Sequence, residues 1–479
     1  MKKNSELLLS VALVLLPFLI QAQFEVSGEF RPRLEYRDGY RQLRDSTLDP
    51  YATILGRARI IFDYKNEKFT TRFTLQQAFV YGENNFSSDT ITRNTVNIFE
   101  AWFRYHFSKS FSLSTGRINI GYDDNRIIGT INWRQWGSTH DLVMMQWQSP
   151  GARYRGDFGF AINNNAPATS FLSSYSQKFY KYMAYLWEQK KFFGEKLTLS
   201  VMAMMEANQK QPVTTKWKTL SSYDTIPVYN TFDSLIGYTT VPVYTSGTTR
   251  ETFPNTLYAR VTAGGNCWLD LNRVKLFFSG YYQFGHIADG RKTSAWLASG
   301  KISWNMIKPF TLTLGADFLS GNNYSDTEGQ KIRSTGFTTP YISAHAFYGY
   351  MDMFTTAVLT GNHAGLNNLY GRGTLNLSEK TTLELTWHWF GLGYGYLPAK
   401  ISKPGDLPYQ QVSKNLGSEI DLMVNYKPIP RMDISAAYCF FLPTSSMEIF
   451  NGITPGTGKF AQFAYLMVTY KPSFFTSSK

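Results

Sequence analysis

The sequence predicts an all-β protein, a transmembrane antiparallel β-barrel of about 18 strands with short periplasmic turns and long extracellular loops. Three observations predict it. Segments of about ten residues alternate apolar and polar side chains, tight turns alternate with long connections along the chain, and aromatic residues make up 16% of the composition, with 31 Tyr and 36 Phe. After the N-terminus no further run of about eighteen apolar residues occurs, which excludes a helical membrane protein.

The N-terminus reads Met1-Lys2-Lys3, an apolar run from Leu7 to Ile20, then Gln21-Ala22-Gln23. A charged start, a short apolar stretch and a small residue at the end are the marks of a secretory signal peptide, here residues 1–22, leaving a mature barrel over 23–479. Period-two alternation then predicts strands over 24–36, 52–65, 68–81, 94–107, 110–121, 141–148, 153–163, 178–190 and 196–208. It continues over 255–270, 273–285, 294–307, 310–321, 367–377, 381–391, 416–426, 431–441 and 459–470. The hairpin from Thr53 to Tyr81 states the pattern most clearly. Ile54, Ala58, Ile60, Phe62 and Tyr64 share one face, while Thr53, Arg57, Arg59 and Asp63 share the other with Leu55 and Ile61. With Lys65 to Lys68 as the turn, Tyr64 faces Phe69 and Arg59 faces Thr74, with Arg72 as its diagonal neighbour. In a membrane barrel the aromatic face meets lipid and the arginine face meets a water-filled lumen.

The connections Asn66-Glu67, Ser108-Lys109, Ser149-Pro150-Gly151, Ile307-Lys308-Pro309, Ser378-Glu379-Lys380 and Lys427 to Pro430 are tight and carry turn or charged residues. Between them lie long loops, Gln209 to Pro254 and Asn322 to Leu366 above all, which a compact soluble domain rarely contains. The last strand carries Phe463, Tyr465 and Met467 on one face, an aromatic-rich ending that can close onto the first strand.

The net charge is +13, which points to an anionic partner. Arginines recur on the polar faces of strands: Arg57, Arg59, Arg72, Arg104 beside Glu100 and His106, Arg153 and Arg155 beside Asp157, Arg260, and Arg372. A guanidinium keeps its charge and grips a carboxylate with two parallel donors, so a row of them offers successive weak sites to an anion. The same residues in ion-pair networks would only stiffen the wall. A second dense group runs from Gly116-Arg117 through Asp123-Asp124-Asn125-Arg126 and Asn132-Trp133-Arg134 to Asp141. The six histidines show no metal-ligand spacing, and no nucleophile and base can be paired, so neither a metal, a cofactor nor a catalytic residue is assigned. Cys267 and Cys439 are too few and too far apart for a disulfide framework. Nucleic acid is not an expected partner of an exported chain without a phosphate-binding glycine loop.

The 116–141 group, the stretch His345 to Asp352 with Gly365 to Tyr370, and Leu416-Gly417-Ser418-Glu419-Ile420-Asp421 together resemble the alginate-export family of outer-membrane barrels, over nearly the whole mature chain. The resemblance implies an eighteen-stranded barrel in the outer membrane of a Gram-negative bacterium, constricted by inward-folded loops and lined by basic residues. It implies that Arg117, Arg126 and Arg134 belong to the constriction, that Asp124 holds one arginine in place, and that Asp352 and Asp421 orient loops or wall. At Gly137-Ser138-Thr139 the chain departs from the family, where an arginine is common before the aspartate matched by Asp141. The expected function is passive passage or export of an anionic polysaccharide, alginate-like, or of a smaller organic anion. Membrane lipid and periplasmic export machinery are the other expected partners. A general diffusion porin, or a barrel enzyme or adhesin acting through the long loops, are the alternatives.

Overall fold

The computed structural model describes residues 23–82, 96–164, 179–210, 213–229, 235–252, 256–399 and 405–477. Eighteen staves form the wall. β1 runs Gln23–Phe30 and, after a break at Arg31-Pro32, Arg33–Asp38; then follow β2 (Tyr51–Lys65), β3 (Phe69–Val80), β4 (Asn97–His106), β5 (Phe111–Ile118) and β6 (His140–Gln148). Next come β7 (Tyr154–Ile162), β8 (Tyr182–Phe192), β9 (Leu197–Gln209), β10 (Leu257–Leu271), β11 (Val274–His286) and β12 (Lys292–Ile307). The set ends with β13 (Phe310–Leu319), β14 (Leu366–Asn376), β15 (Thr381–Gly391), β16 (Asn415–Tyr426), β17 (Met432–Pro443) and β18 (Ala461–Tyr470). Each pairs antiparallel with the next, and β18 returns to β1 through Arg33↔Met467 to Asp38↔Gln462, so the sheet has no free edge. Beyond Pro472, residues Ser473–Thr476 continue the closure along the first half of β1, with Val26 opposite Phe475.

All eighteen predicted strands overlap a stave, because each carries enough β-branched and aromatic residues on one face to sit in lipid. Ile54, Ile60, Phe73, Phe103, Phe158, Leu186, Trp296 and Trp387 face outward and are exposed. Near the turn end Phe69, Tyr105, Phe107 and Phe111 form a chain of ring contacts on this outer face, at centroid spacings of 5.1, 4.8 and 5.4 Å. The predicted leader 1–22 and the predicted strand starts at Asn94, Lys178 and Asn255 lie outside the described residues.

Three expectations are corrected. The β2–β3 register is shifted by two from the expected one: Tyr64 faces Thr71, Arg59 faces Gln76, and Arg72 sits opposite Asp63. A turn in which the Asn66 side chain accepts from the amides of Lys68 and Phe69 sets this pairing. Arg72 therefore has a carboxylate, not Arg59, as its neighbour. Second, Phe99, which alternation places on the outer face with Phe103 and Tyr105, turns into the lumen, because a bulge in β4 pairs Thr74 with Glu100 and Leu75 with Ile98 and skips it. Third, the stretch 209–254, expected as loop, contains a long hairpin, Val213–Tyr229 paired with Leu235–Thr252, in a sheet separate from the barrel.

The lumen itself is two different places. Towards the turns its wall is polar, with Ser112, Ser114, Gln146, Asp157, Ser200 and Asn266 facing in. Towards the loops many inward side chains are apolar: Leu142, Met144, Met183, Met202, Met204, Phe390, Phe441 and Phe463 are all buried, interspersed with buried charges such as Glu206, Arg260 and Glu419. The resemblance implied a lumen constricted by inward-folded loops and lined by basic residues; at this end much of the lining is apolar instead. These apolar side chains receive two long loops that fold inward, loop A (119–139) and loop B (320–365), which bring Ile127, Ile128, Phe337, Tyr341, Phe354 and Val358 into the same core. Apolar area removed from water, at about 25 cal/mol per Å², holds the loops inside. Loops A and B are also joined by backbone: Gly129 donates to the carbonyl of Tyr341 at 2.9 Å, and Ser343 to that of Asn125 at 3.1 Å.

Candidate functional site

The inward stripe of β1 reads Glu29, Arg31, Arg33, Glu35, Arg37, five charged residues at alternate positions, while Phe30, Leu34 and Tyr36 face out. Pro32 breaks the strand between two of these arginines. Both of them reach across the lumen to loop A. Arg31 donates to Gln135 Oε1 at 2.8 and 3.0 Å, to the Asn132 carbonyl at 2.7 Å, and to those of Trp133 and Arg134 at 3.3 and 3.2 Å. Arg33 donates to the Trp133 carbonyl at 2.8 Å and stacks on the Trp133 ring at 3.7 Å, while pairing with Glu35. From β2, Arg57 pairs with Glu29 and donates to Asn132 Oδ1 at 2.9 Å; it is wholly buried. Three guanidiniums thus clamp one short stretch of chain, residues 132–135.

That stretch divides the lumen. On the loop side lies a cavity of about 910 Å³, lined by Trp133, Arg134 and Gln135 together with Arg33, Arg37, Arg41, Arg260 and Arg291. On the turn side lies one of about 470 Å³, lined by Asn132, Arg31, Arg57, Lys427 and Lys471 with Glu29, Glu384 and Asp433. Residues 132–135, with Asn132 lining one cavity and Trp133 to Gln135 the other, form the septum between them.

Loop B presses the septum from the other side. The His345 ring stacks on Trp133 at 3.5 Å and nearly parallel, and Tyr350 stacks on His345 at 4.9 Å. Asp352 accepts from the Tyr40 hydroxyl and lies 3.2 Å from His345 Nδ1. Behind it, Glu419 of β16 accepts from the Met351 amide at 2.7 Å, and Asp421 from that of Tyr350 at 3.4 Å. Burial works to raise the Asp352 carboxyl, but His345, the Tyr40 hydroxyl and Arg41 more than offset it and hold it below its ordinary range. A depressed carboxylate contributes stability that is complete above its unfolded pKa of about 3.9 and is lost as pH falls through the lower folded value. Loop B is therefore expected to stay latched from neutral pH down to about 4 and to loosen below it. Open-channel noise recorded against pH checks this, and an Asp352→Asn channel should already be noisy at neutral pH.

The arginines singled out in the sequence fall into distinct settings. Arg72 makes a two-pronged pair with Asp63 at 2.8 and 3.0 Å. Arg260 binds Glu206 at 2.6 Å, and Glu206 also accepts from Tyr341 of loop B. Arg126 is held by Asp124 at 3.2 Å, by Asp317 at 2.9 Å and by the Tyr348 hydroxyl at 3.0 Å. These are braces, with their charge answered in place. Arg59 donates to Gln76 at 2.7 Å and lies over the Phe99 ring at 3.8 Å; Arg104 donates to Ser114 at 2.9 Å, and Arg372 to Thr386 at 2.9 Å. Arg155 is exposed on the lumen side near the turns, and Arg153 lies in the β6–β7 turn itself. Arg117 points away from the lumen, pairing with Asp141 on the outer face at 2.8 and 2.9 Å. Gly116 within β5 has φ +125°, and the outward parity of β5 carries Arg117 away from the lumen, so this residue is outside the constriction it was expected to join.

Arg134 and Arg41 stand apart. Neither side chain has a carboxylate within 4.0 Å among the described residues, and both line the larger cavity. Burial and then the like charge of Arg41 draw the Arg134 pKa down, Asp352 partly offsetting them. Two cations that repel across a cavity favour an anion between them. Arg41, Arg31 and Arg33 were not singled out from sequence. The available signal was the run of alternate charges in β1 and the Arg31-Pro32-Arg33 triplet.

A family model described as alginate export matches residues 22–444. No curated protein matches the chain. Among solved structures it is similar to the outer membrane protein OpdK from Pseudomonas aeruginosa, with TM-score 0.54 and 10% identity over 95% of this chain and 99% of that one. It is similar also to OccK2 (OpdF) of Pseudomonas aeruginosa, solved in complex with glucuronate, with TM-score 0.54 and 11% identity over 94% and 97% of the two chains. OpdK has also been solved with vanillate, at TM-score 0.53 and 10% identity over 94% and 99%. At such identities the likeness shows the barrel fold.

Proposed function

This chain belongs to the alginate-export family, and from that premise we propose that it is an outer-membrane channel for an organic anion, either a uronate polymer or a smaller carboxylate. The observation that carries the reading is the larger cavity, which Arg41 and Arg134 line with no carboxylate within 4.0 Å among the described residues. A carboxylate entering there gains two charge-assisted contacts and leaves no unpaired charge behind. The long loops face the exterior of a Gram-negative cell and the short turns the periplasm, the leader 1–22 having been removed from a barrel domain over 23–479. Lipid covers the outer face, and periplasmic export machinery is the partner at the turn end. No catalytic role is assigned.

The vanillate and glucuronate held by the two similar channels are both small carboxylates, which supports the smaller-anion side of the reading. One observation favours a plain diffusion porin instead. Arg57, Arg72, Arg126 and Arg260 are all neutralised by carboxylates of the wall or loops. Recordings in planar bilayers separate the two. Uronate oligomers should block the current at concentrations where neutral oligomers of equal length do not. Equal block by both leaves a porin without a substrate site, and absence of conductance removes the channel.

A further inference from the structure

A pocket of about 250 Å³ sits in the lumen on the turn side of loops A and B, away from the septum. Its roof is Arg126, Asp124, Phe347 and Tyr348, and the charges of that roof are spent internally. Arg126 bonds Asp124, Asp317 and Tyr348, while Asp317 also accepts from Ser299 at 2.6 Å and Asn368 at 2.8 Å. The walls below are different. Lys301 of β12 has no carboxylate within 4.0 Å among the described residues, and its ammonium lies 5.1 Å from the Phe277 ring centroid. Arg372 of β14 gives its Nε to Thr386 and makes a loose ion pair with Glu384 at 3.7 Å.

The sheet register brings these two cations together. Lys301 lies opposite Gly315, which lies opposite Tyr370; one step towards the turns, Ser303 lies opposite Thr313, which lies opposite Arg372. Gly315 has no side chain, and a Cβ there would meet the Tyr370 ring at 2.2 Å, so that ring lies flat across β13 towards Lys301. Ser303 and Thr313 share a hydrogen bond of 2.9 Å beneath. The result is a flat aromatic floor between two cations, with hydroxyls at its edge. The volume equals roughly eight liquid-water volumes, a single ring's worth.

We propose that this pocket is a second, separate anion site that takes one sugar acid ring, its carboxylate bridging Lys301 and Arg372 and its ring face lying on Tyr370. The inference rests on the channel reading, and it adds a binding station on the turn side of the septum. A carboxylate there makes charge-assisted bonds to two donors, while the ring hydroxyls replace water on Ser303 and Thr313. An anion approaching from the turns would bind here before reaching the septum.

The test is block of single-channel current by glucuronate monomer, added first to the turn side and then to the loop side of the full mature protein. Lys301→Gln should weaken turn-side block by about tenfold and leave loop-side block unchanged. Tyr370→Leu should weaken turn-side block by glucuronate but not by acetate, which has no ring to stack. The site is overturned if Lys301→Gln leaves turn-side block as it was or weakens both sides equally. If the unmodified channel conducts yet glucuronate blocks it from neither side, the anion-channel reading falls together with the site.

Discussion

Replacing Arg41 and Arg134 together by glutamine is expected to abolish anion selectivity while leaving the barrel folded and conducting. Neither guanidinium has a carboxylate within 4.0 Å among the described residues. Arg41 is exposed in the loop between β1 and β2, and Arg134 projects from the septum into the larger cavity. A bound carboxylate loses two charge-assisted hydrogen bonds, each worth about 1.5–3 kcal/mol, so block by a uronate should weaken by roughly a hundredfold or more. The reversal potential in a salt gradient should move towards that of an unselective pore. Retained selectivity in the double variant would transfer the discrimination to the braced arginines and would defeat the proposed reading. The single variants should be less than additive, because each cation relieves the other's repulsion when it is removed.

The second large effect is expected at Arg57, for the opposite reason. Its charge is fully buried, paired with Glu29 and bonded to Asn132. Arg57→Ala leaves Glu29 buried without that partner, at a cost of about 3–5 kcal/mol. It also removes one of three clamps on residues 132–135. Conductance should rise as the septum slackens, with frequent transitions between levels, and the thermal transition in detergent should fall. Arg57→Lys should recover part of the stability but not the quiet baseline, since an ammonium cannot reach Glu29 and Asn132 through a planar fork. An unchanged conductance trace would show that residues 132–135 do not limit the current.

The wall was readable from the sequence because lipid demands one apolar face from every stave, and period-two alternation reports that face directly. What lies inside was less readable. Leu142, Met144, Phe390 and Phe463 are as apolar as the residues on the outer face, and alternation does not say whether such a residue meets lipid, a loop or water. Only the inward folding of loops A and B decides it. Register was lost at Asn66, whose side chain organises the β2–β3 turn, and at Phe99, where one extra residue reverses the parity of the strand. The arginines show the same limit. A sequence counts charges but not their partners, so braces such as Arg72 and Arg126 looked the same as Arg134. The resemblance placed Arg117 in the constriction, yet the pleat sends it outward to Asp141.

The closure between β1 and β18 has a consequence for assembly. Phe30 pairs with Tyr470 and Val26 with Phe475, contacts between residues more than four hundred positions apart. Such contacts are among the last that a chain can make, since the entropy of closing the loop is met before any bond rewards it. Until they form, both flanks of the sheet expose a row of unsatisfied amides and carbonyls, which is a template for mispairing with another copy. The segment 461–476 is thus the catch that turns an open, adhesive ribbon into a sealed cylinder, and the interval before it engages is when the protein most needs an escort.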